Sequence, residues 1–374
     1  MTNTGNAKLD ITVTSGVPLL TGTSSAYAFN SSCSESDCAG TVYDSWTDFT
    51  QSSQNLVKAF EFDNAKDALR VDLKIGVPLD EPAGAKSDTL TFTASEASGG
   101  AYATGGTITE VGGYRIHTFT SNGTFEVFGG SLNAEVLIVA GGGGGGGMTA
   151  GGGGGGGVIL ITNLVSGTNI VTIGDAGVGA SSYPVDSTDG GNSSFGTNVA
   201  TGGGRGGGYY NWDGAGGGSG GGGGGSSADG IGGTGTTNQG FDGGNGERKE
   251  DTWLDGGGGG GQSSSGGDGA EINGFACGGD GGEGLTTNIS GVSHVYGSGG
   301  GGGALGYNSV ANSSCGIGGT GAGDGAASSH MTILRTSSSA TYYGSGGGGG
   351  GWNDPGLDYG GDGYQGIVIV RYLI

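Results

Sequence analysis

Lysine all but disappears after residue 96: only Lys249 occurs in the remaining 278 positions. Lysine and arginine total 12 against 34 aspartates and glutamates, a formal charge of −22. A surface so poor in cations repels phosphate backbones and anionic lipid, so nucleic-acid and membrane-surface partners are not expected. The plainer reading of the acidity is solubility. Proline is also scarce, with five residues and no strict G-X-Y period, which excludes collagen. No window of about 18 apolar residues exists, so no bilayer-spanning helix or membrane insertion is expected. The opening MTNTGNAKLDITV has neither a basic n-region nor an apolar h-region and does not read as a secretory signal. Histidines number three and cysteines four. Zinc would need closer cysteine pairs or nearby histidines. The cysteines read instead as two disulfide candidates, Cys33 with Cys38 and Cys277 with Cys315. Calcium is the one cofactor left open, by Gly279-Asp-Gly-Gly-Glu283 and Gly361-Asp-Gly363, although the nonapeptide spacing of calcium-binding repeats is missing.

What the chain does have is glycine: 101 residues, of which six precede residue 97. The shift divides the sequence into an N-terminal part, 1–96, a Gly/Ala/Thr connector, 97–113, and a glycine-rich part, 114–374. Its centre is EVLIVAGGGGGGGMTAGGGGGGGVILI, Glu135 to Ile161. Aliphatic runs that read as buried strands abut two seven-glycine tracts, Gly141–Gly147 and Gly151–Gly157. Glycine has no side chain to pack and loses the most backbone freedom on ordering, so ordinary strand or helix is excluded there. Slack linkers and packed three-per-turn extended helices remain. The packed arrangement is the better fit: linkers need not begin flush against strands, and two linkers are not normally separated by only Met148-Thr149-Ala150.

Residues 1–96 alternate apolar and polar at Leu9–Thr14 and Leu69–Ile75, with a further strand at Thr89–Thr93 and turns at Gly76-Val-Pro and Glu81-Pro-Ala-Gly. In the second part, strands are expected at Tyr114–Thr120, Phe125–Phe128, Val136–Val139, Val158–Thr162 and Asn169–Ile173. Gly366–Ile374 is as apolar as Val136–Val139, and the two are expected to pair in one sheet. Nearly all of 174–365 then becomes glycine-rich excursions from one end of a β-sandwich, so the fold class is all-β. Within them the segment YGSGGGGGAL, Tyr296 to Leu305, recurs as YGSGGGGGGW, Tyr343 to Trp352.

Aromatic residues sit at the ends of these glycine runs: Tyr209, Tyr210, Trp212, Trp253, Tyr307, Tyr342, Trp352 and Tyr359. Each offers a rigid face at low entropic cost, suited to stacking on a sugar or anchoring a protein contact. The same residues also suit capping of the glycine layer against water. No catalytic constellation emerges. Asp251 and Asp255 are only loosely similar to the carboxylate pair of glycoside hydrolases, and between glycines they read as solvated loop residues. GxGxxG strings arise from composition, without a βαβ context.

Two resemblances follow from these residues. Asn3-Thr-Gly-Asn6, Val77-Pro and Ala83–Thr93 resemble Ig-like sandwich modules of surface and viral proteins, which implies an attachment or assembly module at 1–96. In such modules a strand normally precedes the Asn-Thr-Gly-Asn segment, so an open edge awaiting a strand from a neighbouring subunit is expected. Phe119–Phe125, Glu135–Gly141, Gly156–Ile159, Val171–Gly174, Gly191–Phe195 and Gly366–Tyr372, in this order, resemble the glycine-rich domain of phage tail fibres and tail-tip adhesins. That likeness implies packed polyglycine-II helices whose connecting loops bind a glycan or protein on the host. The expected function is therefore non-enzymatic receptor binding at a virion surface by a homo- or hetero-oligomer with another fibre subunit as partner. A structural virion protein and a cellular surface adhesin are the alternatives.

Overall fold

The computed structural model describes residues 9–16, 26–33, 41–42, 45–60, 69–96, 101–181, 185–208, 211–225, 229–249, 253–306, 311–329, 332–353, 356–357 and 359–374. Cys38, Tyr209, Tyr210, Asp251 and Tyr307 lie outside these residues, as do the side chains of Cys33 and Trp253. Among the described residues there are strands and no helix. The chain divides into two compact units, 1–102 with 127–131, and 103–126 with 132–374.

The first unit holds two sheets. One pairs Leu9–Ser15 between Gln54–Phe60 and Leu90–Glu96; the other pairs Ala26–Cys33 between Thr47–Asp48 and Leu69–Gly76. Ile11, Val13, Phe29, Leu56, Val57 and Leu69 form one buried cluster between the sheets. Alternation supplies Ile11 and Val13, while a register shift in the pairing with Gln54–Phe60 falls at the consecutive Leu56 and Val57. Cross-strand register then fixes the facing of the outer strands. Leu73 opposes buried Phe29, and Phe92 opposes buried Val13, so both face the core side. Yet Leu73 is 52% exposed, Ile75 55% and Phe92 43%.

The second unit is organised on one sheet of eight strands. Its middle is Gly123–Val139 beside Ile367–Leu373 beside Tyr114–Phe119. Val136 pairs with Val370 and Val139 with Ile367, the expected closure across some 230 residues of sequence. Within the stretch read as a connector, Thr107–Val111 is a strand paired to Tyr114–Phe119 through Gly112 and Gly113, both at positive φ (60° and 81°). A sheet buried on both faces needs apolar residues at every position, and Val136–Val139 and Ile367–Val370 are all buried. One face packs Leu137, Val139, Ile367 and Ile369 on Ile289 and Tyr296.

On the other face lies His117, fully buried, with its ring 5.0 Å from Phe125 and 5.6 Å from Tyr372. His117 Nδ1 is 2.7 Å from the Gly105 carbonyl oxygen, which can only accept, so Nδ1 carries the proton. Nε2, 3.3 Å from the Tyr372 hydroxyl, is then the acceptor. Burial lowers the His117 pKa and keeps the ring neutral.

From this sheet the glycine runs rise as a bundle. In a three-per-turn helix every third residue returns to the same edge, and the hydrogen bonds follow that period. Gly141 and Gly144 donate to Gly191 and Thr188; Gly142 and Gly145 to Tyr364 and Gly361; Gly143 and Gly146 to Gly154 and Gly151. The carbonyls of the same run accept from Gly203 and Gly206, from Gly177 and Ala180, and from Gly347 and Gly350. Three donating edges and three accepting edges give the run six neighbours. The second run, taken with Ala150 before it, likewise donates to 201–207, 257–260 and 344–350, and accepts from 140–146, 219–222 and 300–303. The two runs share 203–207 and 347–350 as neighbours, as adjacent centres of a hexagonal array must. The tracts are therefore packed polyglycine-II helices, not linkers.

Candidate functional site

Following the runs upward defines two ends. The lower end meets the sheet. The upper end begins at the reversal Met148-Thr149-Ala150, where two antiparallel runs already in contact must turn within three residues. Met148 and Thr149 do so in the left-handed region, at φ 65° and 54°, a conformation that costs a side-chain-bearing residue about 1–2 kcal/mol. Thr149 and Ala150 are buried, and the Thr149 carbonyl accepts from Gly225.

Around this reversal the other runs deliver their connections. A five-stranded sheet, in the order Glu247–Lys249, Trp253–Asp255, Ala304–Gly306, Ala327–Ser329, Thr332–Arg335, covers part of the upper end. Hairpins Ala270–Ile272 with Phe275–Cys277, and Trp352–Asn353 with Gly356–Leu357, stand beside it. Small side chains allow close approach: Ala276, Ala304, Ala311 and Ala327 form one buried cluster. Cys277 and Cys315, with Cα atoms 5.3 Å apart, are disulfide-bonded there. The Arg335 guanidinium donates to the carbonyls of Ser313, Cys315, Gly316 and Gly325, tying the loop after Ala311 to a neighbouring run.

Aspartates do a repeated job on the flanks. An outer helix has unpaired amides wherever a neighbour is missing, and a carboxylate can take that place. Asp213 accepts from the Ile231 amide, Asp242 from Gly235, Asp268 from Asn245, Asp324 from Gly318 and Asp189 from Arg205. The residues of the two calcium-like segments behave the same way. Asp280 accepts from Ile317, Glu283 from Thr320 and Asp362 from Gly179. Among the described residues no group of three His, Cys, Asp or Glu is placed to hold a metal ion.

Asp255 departs from its expectation as a solvated loop residue. It ends a strand of the upper sheet and is 1% exposed, with neither carboxylate oxygen hydrogen-bonded among the described residues. Burial first, then the negative charge of Glu247, pushes its pKa up to about 8, while the Cys277 backbone amide, outside hydrogen-bonding geometry, pulls partly the other way. A carboxyl held neutral in a cleft can serve acid catalysis, but Asp255 lies under the cap and Asp251 is not described.

The expected aromatic site residues separate. Trp212 is 38% exposed at the upper end, where its carbonyl accepts from Gly224. Trp352 is half-buried there, its carbonyl accepting from the Ser328 hydroxyl at 2.8 Å. Tyr359 is exposed just below the hairpin that Trp352 opens, its carbonyl bonded by the Ser337 hydroxyl. The Trp253 backbone pairs with Lys249 and Gly306 in the upper sheet. Tyr342 lies at the opposite end, next to the eight-stranded sheet. Gly297, bonded to Tyr343, marks that level.

These features define a class: an all-β protein in which one sheet carries a bundle of glycine helices closed by a cap of short hairpins. A family model described as a glycine-rich domain matches residues 117–373, and the chain belongs to that family. Compared with the curated proteins, the chain matches none.

Proposed function

We propose that this protein is a non-enzymatic adhesin of the tail-fibre or tail-tip kind, displayed on a virion surface, that binds a glycan or protein of the host cell through the upper end of the bundle. The observation that carries the reading is the arrangement of that end. A rigid, hydrogen-bonded core presents many short connections on one surface, with exposed Trp212 and Tyr359 among them. Variable loops on a fixed scaffold are how many binding proteins are built, and aromatic anchors dominate such contacts. The bonded Cys277–Cys315 pair suits an oxidising exterior. Binding of the purified chain to candidate bacterial cells tests the reading. Trp212→Ala and Trp352→Ala should each weaken cell binding by about tenfold or more while melting moves by less than about 4 °C. Unchanged binding in both contradicts it, and a large melting loss assigns these residues to capping.

The first unit serves in this proposal as the attachment module, of Ig-like kind. Its support is the pair of outer strands Leu69–Gly76 and Leu90–Glu96, which have no second neighbouring strand among the described residues and expose core-facing Leu73, Ile75 and Phe92. An extended segment of a fibre subunit with alternating apolar residues fits such an edge. Leu73→Lys should abolish co-assembly with any fibre subunit that the wild-type protein captures while leaving cell binding by the bundle intact; co-assembly at wild-type level would remove this part of the proposal.

A further inference from the structure

A pocket of about 380 Å³ opens at the lower end of the bundle, away from the proposed adhesive surface. Its floor is Ile367 and Ile369 of the closing strand with buried Tyr296; its rim is Thr118, Ser290, His294 and Thr341, and Tyr342 and Tyr343 complete the wall. The volume lies in the range of small-molecule sites. No aspartate, glutamate, lysine or arginine lines it, although acidic residues number 34 in the chain. With no permanently charged side chain in the lining, an uncharged ligand is indicated.

The aromatic wall is fixed before any ligand arrives. The Thr341 and Tyr342 amides both donate to the Gly321 carbonyl, at 2.9 and 3.1 Å. Gly321, at φ +79°, lies under the Tyr342 ring so closely that a Cβ there would strike it. Tyr343 is held edge-on to Tyr364, ring centroids 5.4 Å apart. Tyr342 nevertheless remains 42% exposed. The rim hydroxyls are oriented too. Ser290 donates to the Val292 carbonyl at 3.0 Å and Thr341 to that of Gly321 at 3.4 Å, which turns their oxygen lone pairs toward other donors.

A preset aromatic face, an apolar floor and an uncharged ring of hydroxyl acceptors match the two sides of a pyranose: C–H groups on one face, hydroxyls at the edge. We propose that this pocket binds one neutral hexopyranose unit of a glycan, stacked on Tyr342 and hydrogen-bonded by the rim residues Thr118, Ser290 and Thr341. The site is separate from the upper end and stands whether or not the upper end binds a host.

Methyl-labelled full-length protein, with the Ile367 and Ile369 resonances followed by NMR, tests it. The probes are methyl α-D-glucopyranoside, methyl β-D-galactopyranoside, N-acetylneuraminic acid as the charged comparator and p-cresol as the apolar one. At least one neutral glycoside should shift both resonances saturably. Tyr342→Ala, which removes the exposed ring, and Gly321→Ala, which displaces it, should each weaken that binding by about tenfold or more. Trp212→Ala should leave it unchanged, so that failure of this site and failure of the upper-end reading are told apart. The proposal is overturned if neither glycoside shifts the resonances, if N-acetylneuraminic acid binds more tightly than both, if p-cresol alone binds, or if wild-type affinity survives in Tyr342→Ala with its melting intact.

Discussion

At Gly153 an added Cβ would fall inside 3.0 Å of the Gly143 carbonyl, and at Gly144 inside 3.0 Å of that of Val178. These are backbone atoms already committed to hydrogen bonds, so they cannot move aside singly. Gly153→Ala should cost about 1–3 kcal/mol or more, by the measure of overpacked cores. Val178→Ala, on an exposed flank of a neighbouring run, should stay within about 0.5 kcal/mol. Equal effects in chemical denaturation would contradict close packing. Asp255 makes a second prediction at this scale. Unfolded, it loses its proton near pH 4; folded, it keeps it to about 8. Below pH 4 both states are protonated and nothing is lost. Between about 4 and 8 the folded state binds one proton more, so stability falls as pH rises, by at most about 1.4 kcal/mol per unit. Above 8 the loss is complete and constant. Asp255→Asn should flatten this slope in denaturation series at several pH values, and an unchanged slope would show that the carboxyl is not held neutral. His117 acts in the opposite sense. Its lowered pKa means that stability is lost as pH falls below the unfolded value of about 6.5, so the Asp255 slope is best read above that point.

At the scale of elements, much was legible because glycine leaves few options. Seven unbroken glycines cannot tolerate a side chain on any edge, and both such runs prove to have six neighbours. Runs interrupted at third positions lie outside: Val178, Ile231 and Ile317 are exposed on their flanks. The interruption pattern thus carries the depth of each helix, a signal available in the sequence. The strand pairing of Val136–Val139 with the C-terminal run was legible for a similar reason, since only a sheet covered on both faces needs such residues. Other features were not. Which runs adjoin depends on connections whose lengths vary freely. The burial of Asp255 comes from the sheet that caps the bundle, and its strands, three residues long or little more, are too short to show a period. Tyr342 and Trp352 both stand at the edge of a glycine run in the repeated Tyr-Gly-Ser-Gly segment. One precedes its run and the other follows it, which puts them at opposite ends, a consequence of run direction that composition does not reveal. The acidity, read as solubility, is in part structural, because aspartates replace missing neighbours at the amides of outer helices.

At the scale of the molecule, the last strand closes the sheet from which every excursion departs, so the bundle is anchored at both ends of its sequence. Glycine helices without side chains have no hydrophobic core to hold them; their order rests on a dense set of backbone hydrogen bonds that excludes water. A cap of hairpins at one end and a sheet at the other then give two surfaces of different chemistry, one rich in exposed aromatics on loops, the other with an uncharged pocket. All of this depends on the runs being solid. Amide hydrogen exchange of Gly141–Gly146 and Gly151–Gly157 tests that directly. These amides, each bonded to a neighbouring segment, should exchange only with global opening of the second unit, as slowly as Val136–Val139. Exchange at the rate of an unstructured glycine peptide would contradict the packed bundle and every surface derived from it.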